Sequence, residues 1–157
     1  RQIYNDYGDD LYRLCYFYTG NVPDAMDAVQ NTLVHLMEYT GTFESESHKK
    51  SWLLKVGVNE CRQLHRQWWR RKVTSDESLI DMEKVGVQTS DVWESVMSLP
   101  TKYRIAIYLY YYVGYSTEEI AKIMEKQSST VRSLLLRARK KLKEELVEPQ
   151  ADSSSRI

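Results

Sequence analysis

The chain has 157 residues, with 22 basic against 22 acidic side chains, and its zero formal net charge at first counts against a nucleic-acid binder. Its 42% hydrophobic and 28% charged residues are those of an ordinary folded protein, not of a disordered tail. No apolar run approaches the ~18–20 residues of a membrane span. Only six Gly and three Pro, with few alternating β-branched runs, point to an all-α chain of one ordinary domain or two very small ones. The sequence opens at Arg1 without a methionine and shows no signal-peptide pattern, so it reads as a trimmed piece of a cytoplasmic protein.

The first predicted helix covers residues 3–18, with Ile3, Tyr7, Leu11, Leu14, Cys15 and Tyr18 along one stripe. TGNVP breaks it, and Asn21 ahead of Pro23 is a good helix start. A second helix over 24–39 should bury Ala25, Ala28, Val29, Leu33 and Leu36. Its polar side presents Asp24, Asp27, Gln30 and Asn31, with Glu38 further on. No His or further carboxylate joins these acids at ligand spacing, so a protein-binding face is expected rather than a metal or catalytic pair. Residues 1–48 carry eight acids against two bases.

After a loop over 40–47, a third helix is predicted for 49–71. Its second half, NECRQLHRQWWRRK, divides by face. Cys61, Leu64 and Trp68 lie on the core side, while Arg62, Arg66 and Trp69 lie together on another with Arg70 near. Guanidinium groups interleaved with an indole suit a single strand, whose phosphates meet the arginines and whose bases stack on the ring. The alternative for Trp69 is packing against the arginine stems or the other half of the chain. Residues 73–91 turn polar and acidic and are expected to form a linker. Cys15 and Cys61 lie in no CxxC or CxxH pattern and are expected to be buried thiols.

Helices are predicted next over 91–99, 102–113, 117–125 and 129–145, followed by a solvated tail. Ser116 and Glu119 have capping-box spacing, and Ile120, Ala121 and Met124 form the buried face of the helix they start. A short turn leads to Val131, Leu135, Ala138 and Leu142, again one stripe. Leu134 flanks it and is expected to be half-buried; Leu136 falls on the far side among basic residues. Residues 126–143 hold seven bases and no acid. A basic second helix after so short a turn matches a helix-turn-helix, against the plainer reading of a solvated amphipathic helix. Charge thus alternates in blocks, two basic and two acidic, which implies more than one macromolecular partner.

Together these segments resemble the extracytoplasmic-function sigma factors. GNVPDAMDAVQNTLVHL is similar to their region 2 helix, KSWLLKVGVNECRQLHRQWWRRK to the segment that follows, and LPTKYRIAIYLYYYVGYSTEEIAKIM with TVRSLLLRARKKL to region 4. The resemblance implies a polymerase specificity subunit in place of an enzyme, with no cofactor, metal or small-molecule substrate. It implies region 2 over 1–72, a linker over 73–91, region 4 over 92–146 and a disordered tail over 147–157. Asp24, Asp27, Gln30 and Asn31 would dock on the clamp coiled coil of the β′ subunit of core RNA polymerase. Lys49, Lys50, Trp52, Asn59, Arg62, Arg66 and Trp69 would line the −10 strand of promoter DNA. Thr130, Arg132, Ser133, Leu136 and Arg137, with Arg139 and Lys140 beside them, would face the −35 element, and region 4 would touch the β flap. An anti-sigma factor would be a further partner. The remaining alternatives are a helix-turn-helix regulator acting without polymerase and a sigma-like interaction module that reads no promoter.

The sequence also departs from that pattern. Met26 stands where an acid is usual, Leu134 where a base is common, and Glu125 where the turn usually has glycine, with Lys126 and Ser129 differing nearby. A glutamate there calls for a different turn or for backbone strain of ~1 kcal/mol.

Overall fold

A computed structural model of the chain describes residues 2–74 and 91–155, and all the regular structure there is helical. The linker expected over 73–91 lies almost wholly outside the described residues. Helix α1 (Gln2–Thr19) ends on Gly20, whose positive φ of 77° is the left-handed turn that glycine adopts without a Cβ clash. Asn21 then caps α2 (Val22–Glu38): its side chain accepts from the Asp24 backbone N–H at 2.9 Å. Helix α3 runs Glu46–Thr74, three residues longer at each end than its apolar pattern predicts.

These three helices pack as a bundle through small residues. Ala25 and Ala28 are fully buried on α2 and allow close helix approach. Gly57 does the same on α3, since a Cβ there would stand 2.7 Å from Leu11 Cδ1. Thr32, also fully buried, donates its hydroxyl to the Ala28 carbonyl at 2.7 Å and so carries no unpaired polar group into the core. Leu33 and Leu36, expected inside, are only half-buried, because Thr32 takes the central position of that stripe.

The second half comprises α4 (Asp91–Ser98), α5 (Thr101–Ile107), α6 (Thr117–Met124) and α7 (Ser128–Ser155). The single α-helix expected over 102–113 is instead α5 followed by a π-helical turn, Tyr108–Val113. Gly114, at φ 88°, closes that turn. Ser116 and Glu119 form the predicted capping box at the start of α6. Helix α7 stays regular through Ser155, into the segment where a tail was expected; no glycine occurs from 128 to 155 to stop it.

The two halves share one continuous hydrophobic core. Phe17 of α1 lies 4.7 Å (ring centroids) from Tyr108 and 4.9 Å edge-on from Trp93, which stacks on Tyr16 at 5.9 Å. Tyr108 is almost fully buried and donates to the Asp10 carbonyl, while Arg104 reaches the Tyr18 carbonyl. Neither half is large enough to bury much surface alone, and this aromatic seam supplies the missing apolar contact.

Candidate nucleic-acid and protein interfaces

Helix α7 presents a clean division. Val131, Leu134, Leu135 and Ala138 are buried against α5 and α6, whereas Thr130, Arg132, Ser133, Leu136, Arg137, Arg139 and Lys140 are all exposed. At ~100° per residue the buried set spans about 100° and the exposed set the opposite half, with Leu136 near its middle. Leu134 is 4% exposed, so the expectation of a half-buried side chain is corrected: it belongs to the core stripe. Leu136 is 66% exposed, as its angle predicts.

The cations on this face differ in how firmly they are held. Arg139 donates to Tyr111 Oη at 2.6 Å and lies over the Tyr110 and Tyr111 rings, turned back toward the π-helical segment. Arg132 has one loose ion pair, 3.9 Å to Glu118, between two well-exposed side chains. The Glu118 carboxyl is held below the usual carboxylate range, chiefly by backbone hydrogen bonding and then by Thr117.

The α3 face is arranged differently. Lys50 is ion-paired to Asp10 at 2.8 Å, while Lys49 is half-buried beside it. Trp52 packs in a cluster with Tyr39 (4.9 Å) and Phe43 (5.4 Å), which stack on each other at 4.8 Å. Neither Tyr39 nor Phe43 was singled out from the sequence; the signal that could have found the cluster is three rings, at 39, 43 and 52, in and beside the 40–47 loop. Arg62 donates to Asn59 Oδ1 at 3.2 Å and to the Met124 carbonyl at 2.7 Å, and Asn59 donates to Glu125 at 3.3 Å. Arg66 is exposed. Trp69 is half exposed, donates to His65 Nε2 at 2.7 Å and meets Trp68 edge-on. These contacts lie along its own helix.

On α2, Asp27, Gln30 and Asn31 are exposed, and Met26, Val34 and Met37 stand out beside them as exposed apolar groups. Asp24 is half-buried and accepts from Asn21 Nδ2 at 3.0 Å, so part of its work is local capping. His35 bridges α2 to the buried Glu60 of α3 at 2.6 Å. The two cysteines are free and buried; the neighbouring Cys15 sulfur, then burial, push the Cys61 thiol far above its ordinary range, which makes it an inert core group. Among the described residues, no helix is long and apolar enough to cross a membrane.

This three-helix bundle followed by a capped helix-turn-helix is matched by two family models. Sigma-70 region 2 matches residues 3–71, and sigma-70 region 4 matches residues 90–142. The ECF RNA polymerase sigma-E factor of Salmonella typhimurium is 30% identical over 142 residues, covering 79% of this chain and 73% of that protein. The chain belongs to the sigma-70 family, in its ECF branch. The RNA polymerase sigma factor SigV of Bacillus subtilis is 29% identical over 144 residues, covering 90% of this chain and 87% of SigV. Among solved structures, the sigma factor RpoE of Bartonella quintana, crystallised with the anti-sigma factor NepR, is 26% identical with a TM-score of 0.78, covering 92% and 94% of the two chains. The chain is therefore an alternative sigma factor that directs promoter-specific transcription initiation. Sigma factors are not known as enzymes.

Proposed function

We propose that this sigma factor divides its work between its halves, residues 1–72 serving core polymerase and the −10 element and residues 92–146 the −35 element. Helix α7 enters the major groove, with Thr130, Arg132, Ser133, Leu136, Arg137 and Lys140 toward the DNA and Arg139 at the margin beside Tyr111. The loop after α2 and the α3 residues Lys49, Lys50, Trp52, Asn59, Arg62, Arg66 and Trp69 take the melted −10 strand, the aromatic residues stacking on bases and the cations meeting phosphates. The α2 face of Asp24, Asp27, Gln30 and Asn31 docks on the β′ clamp coiled coil, and region 4 contacts the β flap. The chain acts in the cytoplasm, without catalysis of its own, and an anti-sigma factor, such as the structural neighbour carries, is a further partner.

The observation that carries this reading is the unbroken exposed half of α7, opposite a buried stripe and placed by a capped α6. A phosphate-rich groove needs such a surface: cations at its edges, and small or apolar groups between them that reach base edges. Reconstituted transcription tests it. The chain with core polymerase should initiate at a subset of promoters in a genomic library, and Arg132→Ala should reduce −35-dependent initiation while polymerase binding persists. Initiation at no promoter, or equal loss of both activities in the variant, overturns the assignment.

A further inference from the structure

Region 4 touches region 2 where the −10 strand is expected to lie. Glu125, which caps the C-terminus of α6 and opens the turn to α7, has φ 54° and ψ 49°, a left-handed conformation that suits glycine and strains a residue with a Cβ. Its carboxylate projects onto the polar face of α3. Oε1 accepts from Asn59 Nδ2 at 3.3 Å and lies 4.0 Å from Lys55 Nζ; Oε2 lies 3.9 Å from Arg62 Nη1. The Met124 carbonyl, freed at the helix end, accepts from Arg62 Nη2 at 2.7 Å. One amide and two cations of α3 therefore surround a carboxylate of the chain itself, as they would a phosphate. The seam is imperfectly filled beside this contact. A cavity of about 380 Å³ lies between the halves, lined by Tyr18, Arg62, Lys102, Met124 and Lys126 among others.

We infer that Glu125 is an internal phosphate mimic that closes the free chain, covering Asn59 and Arg62 with the helix-turn-helix turn until promoter DNA or polymerase draws the halves apart. The inference rests on the proposed role of α3 in strand binding. Its chemistry is specific. A glycine at position 125 would relieve the backbone but offer no carboxylate, and the pairs at 3.9–4.0 Å are partly exposed, so the latch is weak enough to open.

The test uses the full-length chain free of polymerase and a fluorescein-labelled pool of random single-stranded DNA of roughly 15 nucleotides. Glu125→Gln and Glu125→Gly should each tighten binding about fivefold, the effect of losing a partly exposed ion-pair cluster. Glu125→Gly should also raise the thermal midpoint, because the left-handed strain disappears, so a gain in binding is not the result of unfolding. Adding Arg62→Ala to Glu125→Gly should remove the gain. Glu144→Gln deletes one negative charge from exposed α7 and should leave affinity unchanged. The inference is overturned if neither Glu125 variant binds more tightly, if Glu144→Gln gains as much, or if the gain survives Arg62→Ala. Promoter-directed initiation by the wild-type chain reports separately on the sigma assignment and can succeed whatever these variants do.

Discussion

Helices α3 and α7 are the two basic helices of the chain, and they keep their charges in opposite states. On α7 the exposed half is largely open to solvent, with Arg132 in one loose pair and Arg139, alone among the described residues of that face, firmly held, by Tyr111. On α3, Lys50 is tied to Asp10, and Asn59 and Arg62 are occupied by the turn of the helix-turn-helix. A helical pattern in sequence therefore identifies a face, but not whether the chain already uses it. The tertiary contact decides that, and it separates the open face of α7 from the partly occupied face of α3.

The largest effect that tests this contrast falls on the support of α7. Leu135 is 2% exposed, and Leu135→Ala should cost about 2–5 kcal/mol by loss of packing and the cavity left behind. Chemical denaturation should show a lowered midpoint, and −35 binding should fall with it. Because the two halves share a core, the transition of the whole chain should shift, not only that of α4–α7. Two separate transitions, with the first three helices unaffected, would show that the seam carries no stability.

Next comes Arg132→Ala. One well-placed arginine is worth about 1–3 kcal/mol at a base pair, so −35-dependent initiation should fall by about tenfold while the denaturation midpoint stays within ~0.5 kcal/mol of wild type. A smaller effect is expected for Ser116→Ala, which removes the cap of α6. The Ser116 hydroxyl accepts from the Glu119 N–H at 3.2 Å, and losing it should cost about 0.5–2 kcal/mol without altering promoter preference. A changed preference would mean that the start of α6 also touches DNA.

Most of the helices were legible because their apolar residues recur at helical spacing and their ends carry recognisable chemistry. Asn21 and Ser116 cap where they were expected to, and Glu125 carries the backbone strain that a non-glycine turn implied. What was not legible depends on partners distant in sequence. The run YLYYYV reads as plain α-helix, and its π turn follows from how Tyr108 and Leu109 are drawn into the core beside Phe17. Leu134 reads as a flank because its angle is borderline, and the packing of the second half on α7 buries it. The Tyr39–Phe43–Trp52 cluster depends on a loop folding back onto α3, which no local period encodes.

Leu136 gives the finest measure of the open face. It stands near the centre of the exposed half of α7, flanked in angle by Arg132 and Lys140, and buries nothing of consequence in the free chain. Leu136→Ala should therefore leave stability unchanged within ~0.5 kcal/mol. A leucine in a major groove offers no hydrogen bond but can cover the C5-methyl of thymine, the one apolar mark on a base edge there. Replacing single thymines of the −35 element by uracil removes that methyl and should weaken wild-type initiation complexes about three- to fourfold, the value of one buried methyl-sized group. In Leu136→Ala complexes the same replacement should make no difference. If Leu136→Ala instead weakens every duplex equally, the side chain rests on the sugar–phosphate backbone. If it weakens none, Leu136 takes no part in reading, and the reading surface reduces to Thr130, Arg132, Ser133, Arg137 and Lys140.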